Sequence, residues 1–165
     1  MELTKRKNIR LPEYDYSQSG GYFITICTHE KKKTLCRIVS GAEGERLDHI
    51  LSQWGGTVKR VMEELPATYG FRLDSYVIMP NHIHMILIKE SGGNDKTIAE
   101  LIGAIKSLAA NRWYRLCDSK GITAGKLWQR NYYDHILRGE EDYLEKRKYI
   151  EENPAKWHLD ALYTV

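Results

Sequence analysis

The stretch YVIMPNHIHMIL, residues 76–87, sets two histidines, His82 and His84, one residue apart in an otherwise apolar run. Side chains alternate along a β-strand, so these two share one face with Ile86 and Ile88, while Ile83, Met85 and Leu87 share the other. Two imidazoles one pleat apart can reach a common metal ion, and histidine is the commonest metal ligand. Two hydrogen-bonded or exposed histidines at the start of a strand would give the same pattern. A metal site would need further ligands. His135 and His158 lie far along the chain, and the strand parity of His135 is open. In LEKRKYIEENP, residues 144–154, Tyr149 and Asn153 stand four apart and leave a helix on the same side. That spacing serves a packed aromatic followed by an asparagine helix cap equally well.

The elements that would hold these residues are legible from periodicity and turn chemistry. Neither face of the His82–Lys89 strand reads as polar, which predicts a central strand buried on both sides. Pro80-Asn81 turns the chain back to a partner strand over Phe71–Met79. A first strand is expected at Tyr22–Thr28, and a small hairpin from Cys36–Val39 and Arg46–Leu47 around Gly41–Gly44. Ile50, Leu51, Trp54, Val58, Val61, Met62 and Leu65 recur at helical spacing, with Pro66 marking the end. A second helix opens on Thr97 and Glu100 at capping-box spacing and carries Ile98, Leu101, Ile102, Ile105 and Leu108 on its stripe. A strand over Leu127–Leu137 follows, then a third helix from Glu140 that stops at Asn153, because Pro154 disfavours helical geometry in the residue before it.

The order β-α-β-β-α-β-α predicts an α+β fold. Its first six elements are the ferredoxin-like, split βαβ arrangement: an antiparallel sheet with two helices on one face. The C-terminal helix with Tyr149 takes the other face or an edge. A chain of 165 residues suits one domain with a real core, here with a polar arm over 1–20 and a tail over 154–165. Cupins, which also use a His-x-His pair, need more strand than this pattern supplies. Metal-dependent amidohydrolases need a barrel of about 250 residues.

No apolar run approaches the roughly 20 residues of a membrane span, and the amino end has no apolar segment typical of a secretion signal. The three cysteines form no CxxC pair, which fits a reducing cytoplasm. The net charge of +3 says little, but its distribution says more. Lys5, Arg6, Lys7 and Arg10 crowd the amino end, Lys31, Lys32 and Lys33 form a run, and Lys146–Lys148 form another. Together with eleven tyrosines and four tryptophans they suit a nucleic-acid surface, where cations meet phosphates and rings stack on unpaired bases.

MPNHIH, then WQRNYYDHI, then YIEENPAKW resemble the corresponding motifs of the IS200-like tyrosine transposases, and within them the REP-associated branch. The resemblance runs from YDYSQSGGYFITICT to NPAKWHLD. It implies the same ferredoxin-like fold and a metal-dependent cleavage of single-stranded DNA beside hairpins. By position, His82 and His84 become the metal-binding pair, Asn153 a third ligand through its amide oxygen, and Tyr149 the nucleophile that forms a 5′-phosphotyrosine. The ion expected is Mg²⁺ or Mn²⁺. The arm residues Lys5, Arg6, Lys7 and Arg10, and Lys31–Lys33, are expected phosphate contacts, and Tyr132 or Tyr133 could stack on bases. The tail, with Trp157 and Asp160, could fold back and regulate access. Insertion-sequence relatives exchange the tyrosine helix between two subunits, so monomer and homodimer both stay open. Two other readings also remain: a nucleic-acid-binding module without catalysis, and a metal-dependent hydrolase of a small molecule.

Overall fold

The computed structural model describes residues 20–39, 48–89, 92 and 94–164. The arm with Lys5, Arg6, Lys7 and Arg10, and the Gly41–Gly44 turn, lie outside the described residues. The elements are β1 (Gly20–Cys27), β2 (Cys36–Val39), β3 (Asp48–Leu51), α1 (Gln53–Thr68), β4 (Phe71–Ile78), β5 (His82–Lys89), α2 (Ile98–Ser119), β6 (Tyr133–Ile136) and α3 (Gly139–Glu152). Short 3-10 turns follow β1 (His29–Lys31) and α3 (Trp157–Leu159).

The main sheet has the order β4-β5-β1-β6, and every neighbouring pair is antiparallel. That is the ferredoxin-like order, reached by two interleaved crossovers, β1-α1-β4 and β5-α2-β6. The β2-β3 pair is an insertion between β1 and α1.

Strand alternation divides the interior into two cores. Tyr22, Ile24 and Ile26 of β1 and Ile83, Met85 and Leu87 of β5 pack under α1 and α2, against Trp54, Val58, Val61, Leu101, Ile102 and Ile105. The residues between them, Phe23 and Ile86, face the other way and join Val77, Met79 and Ile150 of α3. Strand β5 lies between β4 and β1, and its faces are covered by α1 and α2 on one side and by α3 on the other. His82 and His84 therefore look into the layer between the sheet and α3.

Helix α2 begins where the capping box places it: Thr97 Oγ1 accepts from the Glu100 N–H, and the Thr97 N–H donates to Glu100 Oε2 at 2.8 Å. Three boundaries differ from the sequence expectation. Ile50 and Leu51 fit the helical stripe, but they pair with Arg37 and Cys36 in β3. Helix α1 begins only after Ser52, whose Oγ accepts from the Gly55 N–H at 2.9 Å, and the strand paired with β2 is Asp48–Leu51; Arg46–Leu47 lie outside the described residues. The helix also runs two residues past Pro66, whose missing N–H costs only one bond near the end. Strand β6 is much shorter than Leu127–Leu137. The carbonyls of Gln129, Arg130 and Asn131 turn to the Lys106 ammonium instead of β1, leaving a single bridge between Thr28 and Trp128.

Candidate active site

The two histidines are held through one ring nitrogen each. His82 Nδ1–H donates to Asn81 Oδ1 at 2.8 Å, and Asn81 is oriented by its own Nδ2, which donates to the Leu162 carbonyl at 2.8 Å. His84 Nδ1 is hydrogen-bonded to the Thr25 hydroxyl at 2.8 Å, directly across the β1-β5 ladder. Such bonds fix ring orientation and leave Nε2 as the free nitrogen, the usual outer support of a metal-binding histidine. Burial first, and then the neighbouring His84 ring, push His82 down to about 3. It is therefore neutral at physiological pH, as a ligand must be.

Buried polar atoms without partners are rare in folded proteins. Here His82 Nε2, His84 Nε2 and Asn153 Oδ1 are all buried without a hydrogen-bond partner. Asn153 closes α3 as its C-cap, one turn after Tyr149. The resemblance implies these same three residues as the ligand set, Asn153 through its amide oxygen, and their nitrogen and oxygen donors suit Mn²⁺ or Mg²⁺.

Tyr149 is 41% exposed, and its ring meets His84 edge-on at 5.1 Å and Phe23 at 6.0 Å. Its hydroxyl donates to Asp160 Oδ2 at 2.9 Å. The same oxygen accepts from Asn153 Nδ2 at 2.9 Å and lies 3.9 Å from His82 Nε2 and 4.0 Å from His84 Nε2. Those last two distances are too long for hydrogen bonds. They match the span of two ligands on a shared ion, since donors at ~2.1 Å can sit up to ~4.2 Å apart. Ligand atoms of His82, His84 and Asp160 lie within 4.8 Å of one another.

Burial raises the Asp160 pKa, but the nearby His84 ring, the Asn153 amide and the Leu162 N–H outweigh it, so the carboxyl stays ionised well below the usual range. Burial, and then Asp160, push the Tyr149 phenol up to about 12.

All four residues singled out for the site, His82, His84, Tyr149 and Asn153, thus come together in one chain, with α3 packed on its own sheet. The tail does fold back. Trp157 packs on the His82 ring at 5.7 Å, Tyr163 packs on Trp157 at 5.0 Å, and Asp160 sits among the four. Lys33 is drawn into this contact: its Nζ donates to the Thr164 carbonyl at 2.8 Å and lies over the Tyr163 ring. Lys32 pairs with Glu30, and Lys31 is half-buried. Tyr132 packs against the core under α2, whereas Tyr133 is 53% exposed. His135 faces α3 but is bound to Asp142 at 2.8 Å, in the first turn of that helix. A larger groove of about 750 Å³ along edge strand β4 contains none of these residues.

Sequence reasoning missed three supporting residues. The sequence marks Asn81 only as a turn residue, Thr25 as an ordinary strand residue, and Asp160 as part of the tail. No periodic signal marks any of them.

Comparison with known proteins defines the class. The family model for IS200-like transposases matches residues 19–153, and the chain belongs to that family. Some of the proteins the chain is similar to are REP-associated tyrosine transposases. The chain is 22% identical to the REP-associated tyrosine transposase of Escherichia coli, over 86% of this chain and 70% of that one. The structure of a REP-associated tyrosine transposase bound to a REP hairpin superposes with a TM-score of 0.61 at 18% identity, over 95% of this chain and 74% of that one. An uncharacterized protein of Haemophilus influenzae is 33% identical over 96% of this chain and 93% of its own length. Among the described residues no helix is long and apolar enough to cross a membrane.

Proposed function

We propose that this chain is a metal-dependent single-stranded DNA endonuclease and strand transferase. It acts next to DNA hairpins through a 5′-phosphotyrosine on Tyr149, and it works in the cytoplasm. The observation that carries this reading is the set of three orphaned buried atoms, His82 Nε2, His84 Nε2 and Asn153 Oδ1, beside the half-exposed Tyr149. The solved hairpin complex of a structural neighbour supports DNA hairpins as the partner class.

His82, His84 and Asn153 would hold the divalent ion, Mg²⁺ or Mn²⁺, with Asp160 within reach as a fourth donor. When bound, the ion polarises the scissile phosphate and offsets charge on its oxygens. Asn81 and Thr25 keep both imidazoles turned with Nε2 inward. Tyr149 Oη attacks phosphorus in line, forming the phosphotyrosine bond as the bond to the 3′ oxygen breaks. The proton lost by the phenol ends on the released 3′ hydroxyl. The reverse step, with that hydroxyl or another as nucleophile, rejoins the strand without water or ATP, because the phosphotyrosine keeps the bond energy. The phenol is a weak nucleophile as it stands, with its pKa near 12. Charge neutralisation at the phosphate and release of its Asp160 bond are both needed before attack.

The test is incubation with single-stranded hairpin DNA from the flanks of the gene, with Mn²⁺, followed by a denaturing gel. The wild type forms a covalent protein–DNA band and Tyr149→Phe forms none. Binding without any adduct in the wild type would support a non-catalytic DNA-binding module instead, and turnover independent of Tyr149 would point to a hydrolase.

A further inference from the structure

We propose that the cleft beside Tyr149 is a subsite for one unpaired nucleotide, with its base stacked on Tyr133 and its phosphate on Lys146. The proposal rests on the DNA-cleaving reading above and adds where the strand sits.

The cleft measures about 400 Å³ and lies between the sheet and α3. That is toward the small end of ligand-sized pockets, ~300–1,000 Å³. It accepts a nucleoside and excludes a duplex. Two of its walls are built from fixed elements. On the sheet, Thr25 is the ladder partner of His84 on one side and of Tyr133 on the other. Tyr133, Thr25 and His84 therefore form a row across one face. Tyr133 stands at the open end of that row, 53% exposed, while Thr25 and His84 are buried. On α3, Lys146 precedes Tyr149 by three residues and Asn153 by seven, so all three leave the helix on one side. The third wall is Asp160–Leu162 of the tail.

The chemistry of these walls selects the ligand. Tyr133 and Tyr149 offer exposed ring surface, which stacks on any base. The Thr25 hydroxyl is already committed to His84, so little remains to read a base edge. Among the described residues, Lys146 is the cation lining this cleft. Its partner is the adjacent Glu145 at 2.9 Å, with the Lys146 side chain 25% exposed and Glu145 70% exposed. A partly exposed pair of this kind contributes little and exchanges readily for a phosphate. Stacking plus one cation holds a nucleotide without specifying its base, so sequence choice must come from other positions on the DNA.

The experiment measures binding of a labelled hairpin oligonucleotide with a single-stranded tail from the gene's flanks. It uses the Tyr149→Phe chain, so that no strand is cut. Abasic residues are walked along the tail. One position should lose roughly tenfold or more in affinity, the scale of one base–ring stack. Tyr133→Ala should abolish the penalty at that position alone, and changing the base there should matter little. Lys146→Ala should reduce the slope of log affinity against log salt by about 0.7, one single-strand phosphate contact, and Lys146→Arg should retain it. If every abasic penalty survives in Tyr133→Ala, or the salt slope is unchanged in Lys146→Ala, the subsite is wrong. These readouts do not need cleavage. A wild type that forms no adduct while both effects appear would remove the catalytic reading and leave the subsite standing. An adduct with neither effect would do the reverse.

Discussion

Ile150 is the buried side chain of α3, 3% exposed and packed among Phe23, Val77, Met79 and Ile86. It lies between Tyr149 and Asn153, so its seat in the sheet sets where both stand relative to the histidines. Ile150→Ala removes three carbons. At ~0.8 kcal/mol each, the transfer loss is about 2.4 kcal/mol. The cavity left behind brings the total to about 3 kcal/mol, inside the range of ~2–5 kcal/mol for such changes. Equilibrium urea denaturation reads this directly. The exposed Leu144, 52% accessible on the same helix, is the control, and Leu144→Ala should stay within about 0.5 kcal/mol. If α3 undocks instead of tolerating the cavity, its amides lose hydrogen-exchange protection before the sheet does. Mn²⁺ affinity falls in either case, because Asn153 is no longer held beside His82 and His84. A loss under about 1 kcal/mol with α3 amides still protected would refute this account of how α3 is docked.

Mn²⁺ at a hundred times its dissociation constant should add about 2.7 kcal/mol to the wild type. For a chain of this size that raises Tm by roughly 5–11 °C; calorimetry with and without chelator reads it, and His84→Ala should abolish the shift. Gly55→Ala puts a Cβ into the Leu35 carbonyl oxygen, a backbone atom with little room to move. A loss of about 2 kcal/mol or more is expected on denaturation, and Gly56→Ala, with open space around it, should not destabilise. Truncation after Trp157 removes Asp160, an ionised carboxylate hydrogen-bonded to Tyr149 and standing where a DNA phosphate must approach. It also removes the Leu162 carbonyl that orients Asn81, so the rate of adduct formation or the cleavage site should change, and an unchanged rate and cleavage-site profile would show that the tail does not regulate access.

Much of the fold could be read from local rules. The alternation of β5, the Thr97–Glu100 capping box and the Pro154 stop of α3 are short-range signals that the tertiary structure leaves intact. Ile50 and Leu51 misled because they satisfy both a helical stripe and a strand. What decided between them was Ser52, whose side chain caps α1 while its backbone N–H donates to the Leu35 carbonyl. The length of β6 was hidden for a similar reason. Lys106, more than twenty residues away, takes the carbonyls that a longer ladder would need.

The sequence by itself determined which side chains share a face: His82 with His84 by the two-residue period of a strand, Tyr149 with Asn153 by the turn of a helix. Motif resemblance then joined the two halves into one expected site. Only the tertiary structure decided that α3 lies on its own sheet, that Asn81 and Thr25 turn both imidazoles the same way, and that Asp160 enters the centre. Asp160 has no periodicity to reveal it. Its position follows from contacts distant in sequence, Asn81 to the Leu162 carbonyl and Lys33 to the Thr164 carbonyl. Such contacts depend on the path of the whole chain, and local propensity carries no record of them.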